Sequence, residues 1–184
     1  MKLFVSLAPP REIHTTLTRS FFPLREGVAG ARWTKTEQFH FTLRFIGPSD
    51  NVPALEVACR EAARNAVPFD LELRGLGVFP TDGNPQVLWA GVGAGGDALN
   101  RLAADLESRL GRAGFPPAEH PFQPHLTLAR FTGAPRLPDG FLAAHADRPW
   151  FSFRADKIAV MESQPTAYGV NHYTRSAFFL GAAG

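Results

Sequence analysis

At 184 residues, 45% hydrophobic and 20% charged, the chain is long enough to bury a core and too apolar to remain disordered. Its 19 Lys+Arg against 17 Asp+Glu leave a formal charge of +2, which excludes a binder held on long duplex nucleic acid by bulk charge. A local basic pocket around one or two phosphates stays open.

MKLFVSLAPP begins with a short apolar run that stops at Pro9-Pro10, too soon for the core of a secretion signal, and reads as a first strand over Lys2 to Ala8. The prolines open a helix reaching about Phe22, since proline suits a helix start. FHFTLRFIG, residues 39–47, alternates strictly. Phe39, Phe41, Leu43 and Phe45 point one way and His40, Thr42 and Arg44 the other, as in a strand with one buried face. A helix follows over 52–66, with Leu55, Ala58, Cys59 and Ala62 on one stripe. Cys59 is the single cysteine. It excludes an intramolecular disulfide and a cysteine zinc site, suits a packing role, and implies a reducing, cytoplasmic setting.

Residues 68–79 and 86–92 read as strands joined by the turn PTDGNP. A second helix spans 97–113, with Asp97 as N-cap and Leu99, Leu102, Ala103, Leu106 and Leu110 as its apolar stripe. HLTLARF, 125–131, is another short strand. WFSFRADKIAVME, 150–162, and GVNHYTRSAFFL, 169–180, close the chain as a hairpin. A helix followed by a His-x-Thr strand occurs in each half, which predicts an α+β fold in two lobes built from a duplicated unit, residues 1–184 forming one domain. No stretch approaches the roughly 20 apolar residues that span a bilayer, so no membrane partner is expected.

The chemistry gathers on the two His-x-Thr strands. Residues i and i+2 share a strand face, so His40/Thr42 and His125/Thr127 each present an imidazole beside a hydroxyl. Two such strands at one cleft offer a base, an acid and hydroxyl donors around a single phosphate, without a metal or cofactor. Four of the 6 histidines carry Thr two residues on, so context must sort them. His14 lies in a predicted helix, where i and i+2 diverge by about 200°. His172 lies in a strand polar on both faces and reads as cleft rim or surface. Arg44 shares the face of His40 and Thr42 and is a phosphate-binding candidate. Arg130 has the parity of Leu126 and Leu128, against the cleft, unless a bulge at the strand end re-aims it. Phe4 and Tyr173 are candidates to stack a terminal base. Gly91 to Gly96 matches G-x-G-x-x-G after a strand and before a helix. With no acidic residue ending a following strand, and Asp97 at the helix start, it reads as a turn rather than a dinucleotide site.

FHFTLRFIG and PFQPHLTLARF resemble the paired signatures of the 2H phosphoesterase superfamily, specifically RNA 2′,3′-cyclic phosphodiesterases, also called 2′-5′ RNA ligase-like proteins. The likeness extends over MKLFVSLAPP, Ala31-Arg32-Trp33, LRGLGVFP, VLWAGV and VMESQP. Phe41 stands where such proteins often carry Leu. The resemblance implies a bilobal α+β fold with two pseudo-twofold-related antiparallel sheets and a central cleft. It implies His40 as proton donor and His125 as proton acceptor in opening a 2′,3′-cyclic phosphate at an RNA end to a 2′-phosphate, with reversible ATP-independent 2′-5′ joining. It also strengthens Arg130 as a phosphate ligand. A nucleotide-binding module on the same fold, and a phosphodiesterase of 2′-5′ oligonucleotides or small cyclic nucleotides, are the competing readings. A monomer with no obligate protein partner is expected.

Overall fold

Strands that alternate apolar and polar residues need an apolar layer on one side only, and two such sheets supply the architecture. The computed structural model describes residues 2–167 and 169–182. In chain order these form β1 (Lys2–Leu7), α1 (His14–Phe21), α2 (Leu24–Gly27), β2 (Ala29–Trp33), β3 (Phe41–Pro48), α3 (Val52–Asn65) and β4 (Phe69–Phe79). There follow β5 (Val87–Val92), α4 (Gly96–Arg112), β6 (Leu126–Arg136), α5 (Phe141–Ala144), β7 (Pro149–Ala155), β8 (Lys157–Thr166) and β9 (Gly169–Phe179). One sheet has the order β3-β1-β8-β9 and the other β2-β6-β5-β4-β7. Every pairing between neighbours is antiparallel. The four strands β6-β5-β4-β7 repeat the arrangement of β3-β1-β8-β9, with the His-x-Thr strand first in each; β2 is added beside β6.

The helices share one layer. α3 packs against β8, β9 and α4, and α4 against β4 and β3. Leu55, Cys59 and Ala62 of α3 join Leu99, Leu102, Leu106 and Leu110 of α4 in one core with Leu3, Val5, Leu71, Leu73, Leu126 and Leu128 of the sheets. Each fully buried leucine of this set contributes about 1.5–3 kcal/mol relative to exposure. Burial pushes the Cys59 thiol up to about 12, which leaves it protonated and inert. With the helices on one side of both sheets, the opposite faces are free to form the site.

The strand expected over 125–131 runs on to Arg136, and β2 pairs beside it where no strand was predicted. Three further expectations are corrected. The helix predicted from Pro9-Pro10 starts later, after a 3-10 turn at Arg11–Ile13. The predicted strand over 150–162 is two strands, β7 and β8, which belong to different sheets and part at Asp156. No glycine or proline marks that crossing. Asp97 is not the N-cap of α4. Gly95 is, at φ 84°, and a side chain there would have its Cβ 2.0 Å from the Asp70 carbonyl oxygen. The glycine-rich turn thus serves close packing on β4, and the Ala94 N–H donates to the Glu72 carboxylate (3.2 Å) where a phosphate would have to lie. Among the described residues no helix is long and apolar enough to cross a membrane.

Candidate active site

Both motif histidines stand immediately ahead of their strands, β3 and β6, and are locked in the same way. The His40 Nδ1–H donates to the Gln38 carbonyl at 2.7 Å and the His125 Nδ1–H to the Gln123 carbonyl at 2.8 Å. A carbonyl only accepts, so Nδ1 holds the proton and Nε2 is left as the working nitrogen of each ring. The sequence carried a trace of this symmetry in Gln38 and Gln123, each two residues before its histidine.

Burial comes first among the forces on these rings. It pushes His40 down to about 4; the Gln38 hydrogen bond opposes the shift, and the charges of His172, His125 and Arg130 add to it. His125 is lowered by burial and by Arg130, against its own backbone hydrogen bond. His172 is lowered by burial and by Arg130. Arg130 thus acts on all three imidazoles, and β3 and β6 approach each other across the gap. Thr42 is paired with Ser6 on β1, which lines a cavity with His40. Thr127 is paired with Trp89, whose ring centroid is 6.3 Å from that of His125.

A bulge in each motif strand decides what comes next. In β3 the pairing passes from Thr42↔Ser6 to Arg44↔Val5, leaving Leu43 without a partner. In β6 it passes from Thr127↔Trp89 to Ala129↔Leu88 and Arg130↔Val87, leaving Leu128 out. One extra residue reverses strand parity. Arg130 therefore returns to the face of Thr127, contrary to its simple alternation. Arg44 is carried the other way, and the expectation that it shares the face of His40 and Thr42 is corrected. It lies with buried Val5, its Nε donating to Glu107 of α4 at 2.6 Å and its other nitrogens to the Phe45 and Pro116 carbonyls. The same bulge brings Phe45 to the open face opposite Phe4, where it is 68% exposed.

The two expected stacking aromatics do not offer free faces to a ligand. Phe4 is buried, with ring centroids at 5.1 Å from His40, 5.0 Å from His172 and 6.2 Å from Phe45. Tyr173 pairs with Glu162, which in turn pairs with Leu3, so it faces away from the site. Its neighbour His172 faces inward. That ring stands edge-on to His40 at 5.4 Å, with Nδ1 3.0 Å from the Ser163 hydroxyl. Polar flanks hid His172 because β9 is an edge strand, wet on both sides. On the second sheet Phe79 and Trp89 wall in His125, the former edge-on at 5.0 Å. Among the described residues no group of three or more His, Cys, Asp or Glu side chains is placed to hold a metal ion.

The sequence profile of the 2′-5′ RNA ligase superfamily matches residues 9–166. A protein of Aeropyrum pernix named RNA 2′,3′-cyclic phosphodiesterase is 42% identical over 119 residues, 62% of this chain and 68% of that protein. One of Aquifex aeolicus with the same name is 30% identical over 154 residues, 82% of each. Among solved structures, TT0787 of Thermus thermophilus is similar over 100% of both chains, with a TM-score of 0.81 and 28% identity. E. coli LigT complexed with 3′-AMP shares the fold over 98% of both chains, with a TM-score of 0.75 at 22% identity.

Proposed function

The chain belongs to the 2′-5′ RNA ligase superfamily, and from that premise we propose that it opens 2′,3′-cyclic phosphates at RNA ends to 2′-phosphates, with His40 as proton donor, His125 as proton acceptor and no metal ion. The observation that carries this reading is the matched pair of imidazoles, one from each sheet, each with Nδ1 committed to a backbone carbonyl and both within the field of Arg130.

In the step, the His125 Nε2 lone pair takes a proton from water as its oxygen attacks phosphorus. The bond from phosphorus to the 3′-oxygen breaks, and the His40 Nε2–H protonates that oxygen. Product leaves with a 3′-hydroxyl and a 2′-phosphate, and the two imidazoles have exchanged protonation states, which solvent restores. Thr42, Thr127 and Arg130 donate to the non-bridging oxygens and hold phosphorus in line. With an RNA 5′-hydroxyl in place of water, the same transfers give a 2′-5′ linkage. In the free protein burial, with the neighbouring cations adding to it, holds His40 neutral at pH 7; a bound phosphate anion supplies the charge that raises it. Donor loading is therefore coupled to substrate binding. Buried Cys59 suits the reducing cytoplasm.

The test is incubation of pure protein with EDTA and an RNA ending in a 2′,3′-cyclic phosphate. Conversion to the 2′-phosphate is expected. A requirement for added Mg²⁺ or Mn²⁺ overturns the metal-free mechanism, and tight binding without turnover identifies a nucleotide-binding module instead.

A further inference from the structure

Next to His40, the open face of the first sheet carries a cavity of about 390 Å³, within the size range that holds one small molecule. Its floor is a row of small side chains on three neighbouring strands: Ser6 pairs with Ala159, and Ala159 with Ala177. At about 4.8 Å between strands, this row leaves a flat patch roughly 10 Å across, the footprint of a planar heterocycle. The rings of His40 and His172 form one wall. Gln38 closes another, its side-chain amide donating to the Val170 carbonyl at 3.1 Å while its own carbonyl accepts from His40. Glu37 and Thr174 also line the space and offer an acceptor and a hydroxyl to base edges. Arg11 and Lys157 are exposed at the mouth, and neither has a carboxylate partner among the described residues.

We propose that this cavity receives the nucleoside that carries the cyclic phosphate, its base flat on the Ser6–Ala159–Ala177 row, and that Arg11 and Lys157 hold the phosphodiester joining this nucleoside to the rest of the RNA. The proposal rests on the phosphodiesterase reading of the His40–His125 site. It makes the protein a reader of chain ends: a dinucleotide with a terminal 2′,3′-cyclic phosphate has the upstream phosphate that the mouth cations need, and a mononucleoside 2′,3′-cyclic phosphate lacks it. A charge-assisted contact of this kind changes affinity by roughly tenfold to a hundredfold.

Steady-state kinetics on adenylyl-adenosine 2′,3′-cyclic phosphate and on adenosine 2′,3′-cyclic phosphate test this. The unaltered protein is expected to show a KM at least tenfold lower for the dinucleotide. Arg11→Ala/Lys157→Ala, a pair of surface changes, erases that advantage with kcat retained. Ala177→Phe fills the slot and raises KM for both substrates at least tenfold, while inorganic phosphate, bound between the histidines, keeps its affinity by calorimetry. Unchanged KM values in Ala177→Phe overturn the slot, and an undiminished dinucleotide preference in the double variant overturns the role of the mouth. If Ala177→Phe melts early, the exposed pair alone decides. Absence of turnover on both substrates by the unaltered protein defeats the phosphodiesterase reading itself, and the slot with it.

Discussion

The two histidine strands begin as copies and then diverge in chemistry. Each runs Gln-x-His-x-Thr, each ring gives its Nδ1–H to the carbonyl two residues back, and each strand bulges at the leucine after its threonine. The bulges are equivalent, so the residue two after threonine goes to the helix side in both (Arg44 and Ala129), and the residue three after it goes to the open side (Phe45 and Arg130). A shared backbone therefore places an exposed aromatic on the open face of one strand and a guanidinium on the open face of the other. Symmetry supplies two similar nitrogens; the side chains after the bulges make them unequal.

The largest test removes the similarity itself. His40→Ala and His125→Ala are each expected to lose roughly 10²–10⁴ in turnover with the fold intact, the range for deleting a general acid or base. Their pH profiles should part. His40→Ala loses the alkaline limb, which needs a protonated donor, and His125→Ala the acid limb. In the unaltered protein both limbs of kcat/KM fall below the ordinary imidazole range, since both rings are lowered in the free state. The alkaline limb of kcat should lie higher than that of kcat/KM, because bound phosphate raises His40. Coincident limbs would deny that substrate loads the donor.

Next in size is the pair of arginines. Arg130→Ala should cost roughly 10²–10³ in kcat/KM, as expected on losing a donor to developing charge, with little change in stability. Arg44→Ala should do the reverse. It removes the ion pair to Glu107, which keeps only the Ala118 N–H as donor, and lowers stability by about 1–3 kcal/mol, with kcat per folded molecule unchanged. Denaturant titration beside kinetics separates the two, and a catalytic defect in Arg44→Ala would show that the bulge does not sort them.

Alternation in the sequence made both lobes and both His-x-Thr couples legible, because period-2 patterning is a direct imprint of one buried face. It failed at Arg44, Arg130 and Phe45 for a single physical reason. A bulge costs one residue of register and leaves no signature in composition, so the parity argument inverts just past Leu43, at Arg44 and Phe45, and just past Leu128, at Ala129 and Arg130. His172 was obscured differently: on an edge strand polar flanks carry no facing information. Phe79 and Trp89 became neighbours of His125 only through cross-strand pairing, which no local pattern encodes.

Burial of the histidines also makes the protein acid-sensitive. His40 is held near 4 against an ordinary 6.5, so the unfolded chain binds the extra proton first. Its stabilising effect is complete above about pH 6.5 and is lost as pH falls toward 4. The loss is on the order of 3 kcal/mol from this ring. Urea titrations across that window should show it, and His40→Phe should flatten the slope. An equal acid loss in the variant would place the sensitivity in other groups.

The smallest effect tests how each histidine is propped. His40 leans on Phe4 and His172, whereas His125 is walled by Phe79 and Trp89, and the indole needs Gly77. A Cβ at residue 77 would fall 2.1 Å from the Trp89 ring, a contact that only displacement of the indole relieves. Gly77→Ala is therefore expected to lower kcat/KM about tenfold by shifting the wall of His125, since small misplacements of a reacting group are costly. His40 and its lobe should be untouched, so the alkaline limb that depends on His40 should stay where it was. Adding Trp89→Leu to Gly77→Ala removes the clash and should recover part of the loss, giving a coupling between the two changes that neither shows alone. Wild-type activity in a well-folded Gly77→Ala variant would mean that the indole does not aim His125, and that the Gln123 carbonyl alone sets that ring.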